Sequence, residues 1–433
     1  MAAERGSSAE EALVKVQISV GDDPTQPNGK THTDAYDVRL FRDGELVRQW
    51  PQIPGGIDEV RTWRTRTHVE MKGMHEIVIP FRVQLPTRNA GKPVMFTAYA
   101  FNEDRVKSGT ATASYTVPED VAPRKPRAYV ITVGADGYDA PERTLQFAVS
   151  DAEAMRTALS KLDGYEVEAV SLTSGADPAK RHATKAELHE VLARLAGRPP
   201  TPGTLVGVAG ADRVAKATPD DLVIATFSGH GYTQADGTFY LLGSDSGRVD
   251  EPLPRALAKF ISSEELSEWL RPIDAGQMAL IIDACHSAAS VDQPGFKPGP
   301  MGDRGLGQLA YDKAMRILAA SQADDVALES ARLNHGLLTY ALAVDGLATG
   351  VNGKRNADLD GNGSLTLAEW LRYGEEHTPT LYEDIRNGQK APVFAGRNAI
   401  VDPDNFRQRT VKHAQTPALF DFAKSSQADA VIK

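Results

Sequence analysis

The chain has very little cysteine: among its 433 residues there is one, Cys285. A single thiol cannot form an intramolecular disulfide, which excludes a disulfide-stapled secreted domain and favours a reducing compartment. No run of about 18 apolar residues exists, and the longest apolar runs, at 222–227 and 279–282, have the length of strands. The sequence therefore predicts neither a disulfide framework nor a membrane span.

A secretory signal is not apparent either, because the first thirty residues lack a basic start followed by an apolar stretch. We therefore expect a cytoplasmic protein. The net charge of 48 − 58 = −10 disfavours non-specific nucleic-acid binding. Hydrophobic residues make up 41% and charged residues 24%, which excludes disorder and fibrous repeats as descriptions of the whole chain. At about 150 residues per domain, two or three domains are expected.

Residues 1–118 are predicted to form an all-β sandwich. Val14, Val16, Ile18 and Val20 alternate with more polar residues, which places them on one face of a strand. The residues from Ile77 to Leu85 alternate more regularly. Further strands are predicted at 36–41, 45–50, 94–101 and 110–117, with Gly- and Pro-containing turns between them, and about seven such strands are typical of a sandwich.

A proline-rich linker, 119–127, separates this domain from a region with a different pattern. From 128 to 400, short apolar strands alternate with helical periodicity, and a less regular C-terminal tail follows at 401–433. Strands are predicted at 129–133, 167–172, 222–227, 239–242, 278–282 and 316–320, and helices at 145–162, 185–195 and 263–270. This order predicts a mostly parallel sheet covered by helices on both faces.

Two of these strands end in reactive residue types. The first runs into Ser228-Gly-His230-Gly231, and the second runs into Asp283-Ala-Cys285-His286. The carboxyl ends of strands are where active sites of such folds lie. A cysteine protease needs a thiolate, a histidine base and donors for the oxyanion. Cys285 and His230 meet the first two needs, and the N–H groups of Gly231 and Cys285 could supply the third. His286 is a less favourable base, because adjacent side chains of an extended segment point to opposite sides.

These two motifs, 55 residues apart, resemble the catalytic core of the caspase-like cysteine proteases of clan CD, peptidase family C14. The resemblance is closest to metacaspases and bacterial caspase homologues, and it extends from about Arg127 to the C-terminal region. It includes Phe147–Ala154, Phe239–Asp245 and His335–Leu342. It implies the α/β caspase-hemoglobinase fold, a Cys-His dyad and protein or peptide substrates.

Asp283 bears on specificity, because it lies two residues before Cys285 and an extended segment directs both side chains to the same side. A carboxylate there would pair with a substrate Arg or Lys. In metacaspases the acidic residue at this position helps to form a pocket for basic residues, and by resemblance Asp151 is a second candidate for its wall. A purely structural role stays open for both acids. We expect cleavage after Arg or Lys.

The segment after the cysteine is rich in Gly and Pro and contains Lys297 and Arg304. In caspase-like enzymes the corresponding region can be cut on activation. Arg304, which precedes Gly, is the better candidate for autoprocessing, because Lys297 precedes Pro. An ordinary mobile loop of the substrate pocket is the alternative.

A twelve-residue segment, 358–369, matches the calcium-binding loop of EF-hands. Oxygen-bearing side chains occupy loop positions 1, 3 and 5, Gly363 occupies position 6, and Glu369 occupies position 12. The predicted Ca²⁺ ligands are Asp358, Asp360, Asn362, the carbonyl of Ser364 and Glu369. The preceding helix is predicted at 335–347. The loop is solitary, whereas EF-hands usually pair, and a similar turn without metal occurs in caspase homologues. Calcium is therefore a candidate cofactor.

The sequence thus predicts a cysteine endopeptidase that cleaves after Arg or Lys, with calcium as a candidate regulator and no nucleic-acid or membrane partner. The N-terminal domain around Ala98–Gly109 is similar to Ig-like segments that precede caspase domains in bacterial proteins. That likeness implies a partner protein and a role in signalling or defence. Two alternatives stay open: a non-proteolytic scaffold with the caspase fold, and a calcium-binding interaction module.

Overall fold

The computed structural model describes residues 1–21, 33–51, 60–71, 74–234, 238–284, 305–321, 327–350, 353–387, 394–396, 415–424 and 429–433. Four predicted or weighed site residues, Cys285, His286, Lys297 and Arg304, lie outside these ranges. Within the ranges, no helix combines the length and apolar character needed to cross a bilayer.

The described part of the N-terminal domain consists of two antiparallel sheets, one α-helix, α1 (Val60–Thr67), and a 3-10 turn, Thr87–Asn89. One sheet has the order β1-β2-β5, and the other has the order β4-β3-β6-β7. The strands are β1 (Ala2–Arg5), β2 (Glu11–Ser19), β3 (Tyr36–Arg42), β4 (Glu45–Trp50), β5 (Glu76–Gln84), β6 (Pro93–Phe101) and β7 (Ala111–Thr116).

Alternation explains how the two sheets bury one shared core. Val14 and Val16 of β2 are buried while their neighbours are less so, and Phe81 and Val83 of β5 follow the same period of two. These side chains belong to the same apolar cluster as Val94 and Phe96 of the other sheet. The predicted all-β sandwich is confirmed.

The second domain is built on a six-stranded sheet of order β19-β15-β14-β10-β8-β9. Its strands are parallel except β19, which runs antiparallel to β15. The bounds are β8 (Arg127–Ala135), β9 (Glu166–Ser174), β10 (Leu222–Ser228), β14 (Gln277–Asp283), β15 (Arg316–Ala319) and β19 (Ala418–Asp421). All seven residues of β10 and of β14 are buried, as a central strand covered on both faces requires.

Helices cover both faces of this sheet and create two separate apolar cores. The helices are α2 (Ala148–Ala158), α3 (Lys185–Leu195), α4 (Leu253–Lys259), α5 (Ser263–Leu270), α6 (Gly305–Asp312), α7 (Leu337–Thr339) and α8 (Leu367–Asn387). Residues of α3, α5 and α6 contribute to one core, and residues of α7 and α8 contribute to the other. The predicted α/β architecture is therefore confirmed.

Six short strands lie outside the main sheet. They form two small antiparallel sheets of order β11-β12-β13 and β17-β16-β18. The strands are β11 (Gly231–Thr233), β12 (Phe239–Leu241), β13 (Ile261–Ser262), β16 (Leu328–Ser330), β17 (His335–Gly336) and β18 (Phe394–Gly396). The strand predicted at 239–242 thus exists, but it pairs with the segment after His230 instead of joining the parallel sheet.

Two segments depart from the sequence expectation. The helix expected at 335–347 is divided into β17, the short helix α7 and a π-helical segment, Tyr340–Asp345. Residues 418–421 of the expected tail form β19, an edge strand of the main sheet. A segment of four residues is too short for its periodicity to indicate a strand.

The two domains meet through buried polar contacts. Thr87 donates from its N–H and its hydroxyl to Oδ2 of Asp220, at 2.8 and 2.7 Å. Arg39 bonds Asp312 at 2.8 Å, with both side chains 1% exposed. Lys313 donates to the carbonyl of Leu46 at 3.0 Å. The N-terminal domain therefore contacts the end of α6.

Candidate active site

The candidate site lies at the carboxyl edge of the main sheet, where β10 and β14 end side by side. In the register of this parallel pair, Ser228 is the partner of Asp283. The N–H of Gly229 donates to the carbonyl of Asp283 at 3.3 Å, which extends the pairing one residue further. His230 lies two residues beyond Ser228, and the chain reaches Cys285 two residues beyond Asp283. Neighbouring strands are about 4.8 Å apart, so this register starts both segments from adjacent points.

His230 is buried and held in a defined tautomer. Its Nε2 lies 2.7 Å from the carbonyl oxygen of Arg143. A carbonyl oxygen can only accept, so Nε2 carries a hydrogen and Nδ1 is the ring nitrogen that can take up a proton. The backbone N–H of His230 donates to the hydroxyl of Tyr138 at 3.1 Å, and the two rings are 5.2 Å apart. The geometry suits a general base.

Arg143 itself is fixed by a separate set of contacts. It ends a 3-10 turn, Pro141–Arg143, and its buried guanidinium donates to the carbonyls of Ser246 and Gly247 at 3.1 and 3.0 Å. It also lies over the ring of Phe260 at 5.5 Å. Burial lowers the pKa of Arg143 from its usual value. The side chain therefore anchors the turn whose carbonyl orients His230.

Gly231 follows the histidine at the start of β11. Leu242 donates its N–H to the carbonyl of His230 at 3.1 Å, and Gly231 is the partner of Leu241 in the next position of the ladder. Because bonded and non-bonded pairs alternate in an antiparallel ladder, the Gly231 N–H points away from β12. This direction is compatible with the oxyanion role predicted for Gly231.

The two acids predicted for specificity are both buried and contact one short segment. Asp151, in α2, accepts from Nδ1 of His335 at 2.9 Å and from the N–H of Gly336 at 3.1 Å. Asp283 accepts from the hydroxyl of Thr339 at 2.9 Å. Gly336 and Thr339 are one helical turn apart, so the acids hold the two ends of α7. The structure thus brings Asp151 and Asp283 to the same region.

Close packing of α2 against β8 sets the position of Asp151. A side chain at Gly134 would collide with the carbonyl oxygen of Ala148 and with the methyl group of Ala152. The absence of a Cβ therefore lets the helix approach the strand next to the carboxyl edge. Asp136, just beyond the strand, accepts from the N–H groups of Ala148 and Val149 at 2.7 and 3.2 Å and fixes the start of α2.

An open cavity of about 670 Å³ borders the turn that holds His230. It is lined by residues 139–142 and 248–250, and its charged members are Asp139, Glu142, Arg248 and Asp250. Arg248 and Asp250 pair with each other at 2.9 Å. Because Glu142 directly precedes Arg143, this cavity lies next to the candidate base.

Three further residues of the site carry no signal in the sequence. Arg143 acts through its backbone carbonyl, which every residue type has, and no motif marks Tyr138. Thr339 contacts Asp283 across 56 positions of the chain. The sequence indicates that these segments meet only through the family resemblance, which includes both Phe147–Ala154 and His335–Leu342.

The candidate calcium loop brings its acids together. Asp358, Asp360 and Glu369 each offer a carboxylate oxygen, and these oxygens lie within 4.8 Å of one another. Asp360 accepts from the N–H of Asn362 at 3.0 Å, and Asn362 accepts from the N–H of Ser364 at 2.7 Å. Carboxylate, amide and carbonyl oxygens are the donors that Ca²⁺ prefers, so the residue set fits this ion.

The chain's C-terminal residues pair with this loop. Leu365, at loop position 8, donates to the carbonyl of Lys433 at 2.9 Å and accepts from the N–H of Ile432 at 2.7 Å. Asp429 accepts from the N–H of Ala368 at 2.9 Å and bonds Arg316 of β15 at 2.7 Å. The loop is therefore tied to an adjacent extended segment and, through Asp429, to the main sheet.

Comparison with known proteins gives one family match. Residues 208–294 match the model of the metacaspase, peptidase C14 domain. No curated protein matches the chain. Caspase-1 from Spodoptera frugiperda is similar in structure, with a TM-score of 0.37, 12% identity, and coverage of 70% of this chain and 93% of that one. The structure of pro-sf-caspase-1 gives a TM-score of 0.36, 12% identity, and coverage of 69% and 89%.

The matched segment includes both strand ends, from before β10 to beyond Cys285. Those are the elements on which the sequence resemblance rests. The similarity to a known family comes from this segment, since the structural similarities are too low to add to it. Residues 208–294 of this chain are thus similar to the metacaspase, peptidase C14 domain.

Proposed function

We propose that the chain is a cysteine endopeptidase that uses His230 and Cys285 as a catalytic dyad. The observation that carries this proposal is the aligned register of β10 and β14, with the ring of His230 oriented by the Arg143 carbonyl at 2.7 Å. The match to a peptidase family supports a caspase-type protease. The imidazole of His230 is buried and oriented, and the neighbouring strand leads to the chain's one cysteine. An imidazole and a thiol are the two side-chain groups that a thiol-imidazole catalytic pair requires.

In the proposed mechanism, Nδ1 of His230 takes the thiol proton of Cys285, and the thiolate attacks the carbonyl carbon of the scissile bond. The N–H groups of Gly231 and Cys285 stabilise the negative charge on the carbonyl oxygen. His230 then returns the proton to the leaving amine, and an acyl-enzyme remains on the sulfur. Water hydrolyses the thioester with His230 again acting as the base.

The proposed substrates are proteins or peptides with Arg or Lys before the scissile bond. Asp283 and Asp151 are both almost completely buried, and both accept from groups on 335–339. A buried carboxylate is favourable for binding when a substrate cation pairs with it. The two acids are proposed to provide the negative charge of the primary pocket.

The test is an assay of fluorogenic peptides ending in Arg, Lys or Asp, using the wild type, Cys285→Ala and His286→Ala. Cleavage after Arg and Lys by the wild type and by His286→Ala, but not by Cys285→Ala, supports the proposal. Equal or faster cleavage after Asp contradicts the specificity. Absence of cleavage with every peptide, with and without calcium, favours the non-proteolytic scaffold.

Calcium binding at 358–369 is a second proposal, and it is favoured by the clustering of Asp358, Asp360 and Glu369. Calcium would take the carboxylate, amide and carbonyl oxygens of the five predicted ligands. Titration calorimetry with CaCl₂ should detect binding to the wild type and to Glu376→Gln, an exposed control on α8. It should detect none with Glu369→Gln. Equal peptidase activity in excess chelator and in millimolar calcium would contradict regulation by this ion.

Autoprocessing at Arg304, or at Lys297, stays a prediction about a segment outside the described residues. Active enzyme should convert itself to two fragments, and Arg304→Ala should remain intact while Lys297→Ala is still cut. A single intact band after prolonged incubation would contradict it.

A further inference from the structure

A second open cavity, of about 510 Å³, lies between the two domains and away from the candidate active site. On one side it is lined by β4 of the sandwich, through residues 46–49. On the other side it is lined by the residues that follow α3 and by the end of α5, including Arg198, Lys216 and Arg271. We call this cavity the interdomain cleft. Its volume is in the range of small-molecule sites, about 300–1,000 Å³.

Positive charge is concentrated in the interdomain cleft. Four of its lining residues are cationic and two are acidic, in a chain whose net charge is −10. One of the two acids is already paired, because Asp274 lies 3.0 Å from Arg42 and is 3% exposed. Burial acts to raise the pKa of Asp274, but Arg42 and Lys313 outweigh it and hold that pKa below its usual value. Asp274 also lies 3.8 Å from Arg48. The remaining charges that line the cleft are Arg198, Lys216 and Arg271 against Glu268.

The cations are presented in two ways. Arg48 is positioned by backbone carbonyls, since it donates to those of Arg82 and Val47 at 3.0 and 2.7 Å. Arg271 donates to the side chain of Gln49 at 3.4 Å, across the domain boundary. Arg198 and Lys216 are exposed and form no ion pair with any other residue in the part of the chain that the structure describes. The cleft therefore combines fixed guanidinium groups with cations that an anion could recruit.

We propose that the interdomain cleft binds a phosphorylated small molecule of nucleotide size. Arginine and lysine are the residues that recognise phosphate, and guanidinium groups bind it in a bidentate manner. The apolar side chains of Leu46, Val47 and Pro272 line the same cavity and suit the non-phosphate part of such a ligand. This binding is independent of the peptidase function proposed above.

Such a ligand would contact both domains at once. Arg48 comes from β4, whereas Arg198, Lys216 and Arg271 come from the second domain. The cleft adjoins the contact in which Lys313 donates to the carbonyls of Leu46 and Ile273, at 3.0 and 2.6 Å. A ligand that binds only the assembled domains stabilises that assembly, so thermal unfolding should shift to higher temperature with ligand concentration.

The test is titration calorimetry of the full chain at low ionic strength with ATP, sodium pyrophosphate and adenosine, in buffer without divalent cations. ATP is expected to bind with a Kd below about 100 μM. The variant Arg198→Glu/Lys216→Gln should bind at least about tenfold more weakly, because each lost charge-assisted bond costs a factor of that size. Arg66→Glu/Lys92→Gln, with exposed cations outside the cleft, should bind as the wild type does. Circular dichroism checks that both variants fold.

Comparison of ATP, pyrophosphate and adenosine distinguishes a nucleotide-like ligand from a phosphate anion alone. Tighter binding of ATP than of pyrophosphate supports a ligand of nucleotide size, and equal binding contradicts that size and identifies a phosphate anion alone. The proposal is overturned if neither ATP nor pyrophosphate binds, or if adenosine binds as tightly as ATP. Equal loss of affinity in the cleft variant and in the control variant would also overturn it.

Discussion

The domain interface and the candidate-site edge of the main sheet both bury charged residues, but the hydrogen-bond and ion-pair partners of those residues differ. At the interface, Arg39 pairs with Asp37 and Asp312, both at 2.8 Å. At the sheet edge, Asp151 accepts from a backbone N–H and an imidazole, and Asp283 accepts from a hydroxyl. None of these donors carries a guanidinium charge. The described donors to Asp151 and Asp283 are thus a backbone N–H, an imidazole and a hydroxyl, whereas Asp37 and Asp312 at the interface share the guanidinium group of Arg39.

The largest expected effect is a loss of peptidase activity on replacing His230, without a matching loss of stability. His230→Ala removes the proposed base, and we expect kcat/KM to fall by about 10²–10⁴-fold. The free energy of unfolding should fall by about 1–3 kcal/mol, because the Arg143 carbonyl loses its donor. Peptide hydrolysis and urea unfolding measure the two quantities. Retention of activity above a tenth of the wild-type value would contradict the role of His230.

At the interface we expect a loss of stability without a matching loss of activity. Arg39→Ala leaves Asp37 and Asp312 buried without their cation, and removing one partner of a buried pair costs about 3–5 kcal/mol. Urea unfolding should show this loss, while kcat per folded molecule stays near the wild-type value. Arg66→Ala, an exposed arginine in the same domain, should change stability by less than about 0.5 kcal/mol. If both variants are equally stable, the interface pairing is unimportant.

Substrate choice is the next comparison. Asp283→Asn keeps the shape and the acceptor for Thr339 but removes the charge, so the preference for Arg over an uncharged isostere such as citrulline should fall. We expect a decrease of about tenfold to a hundredfold in the ratio of kcat/KM values. Asp312→Asn, which changes a buried acid at the interface, should leave this ratio unchanged. An unchanged ratio in Asp283→Asn would assign Asp283 a structural role.

The last comparison concerns a pH dependence of stability at the interface. Burial raises the pKa of Glu45 from its usual 4.5 to about 7, although Lys313 at 4.0 Å and Arg42 at 3.5 Å oppose the rise and Asp274 adds to it. Between those pH values the folded protein retains a proton that the unfolded chain releases. The contribution of Glu45 to stability therefore falls as pH rises through this window, by up to about 1.4 kcal/mol per pH unit.

Glu45→Gln removes this titration, so the unfolding free energy of the variant minus that of the wild type should increase from pH 4.5 to pH 7. Chemical unfolding at several pH values measures the difference. The exposed control Glu10→Gln should show no such increase. A difference that is flat with pH would mean that Glu45 titrates near its usual value in the folded protein.

Local signals in the sequence were sufficient for much of the fold. The helix 185–195 was predicted with its observed bounds, and the structure shows a capping box between Thr184 and Glu187 at its start. Helix 263–270 has the same device, with Ser262 and Glu265. The sequence predicts β10 and β14 because both faces of these strands are buried, and nearly every residue of the two segments is therefore apolar.

Contacts between distant segments could not be predicted in the same way. Arg39 and Asp312 are 273 positions apart, and no local pattern identifies them as partners. Strand β19 has four residues and joins the sheet through antiparallel pairing with β15. The interdomain cleft likewise combines residues of β4 with residues near 198, 216 and 271. Such features depend on the tertiary fold, which a short-range pattern does not contain.

The contact between His230 and the carbonyl oxygen of Arg143 has a consequence for mutagenesis. A carboxylate that orients a histidine can be deleted by a single missense change, but a backbone acceptor survives every replacement of its side chain. Substitutions at position 143 would therefore act only by shifting the path of the turn, and Arg143→Ala and Arg143→Met should differ according to how well they retain packing against Phe260. The tautomer of the proposed base is thus specified by the course of the main chain.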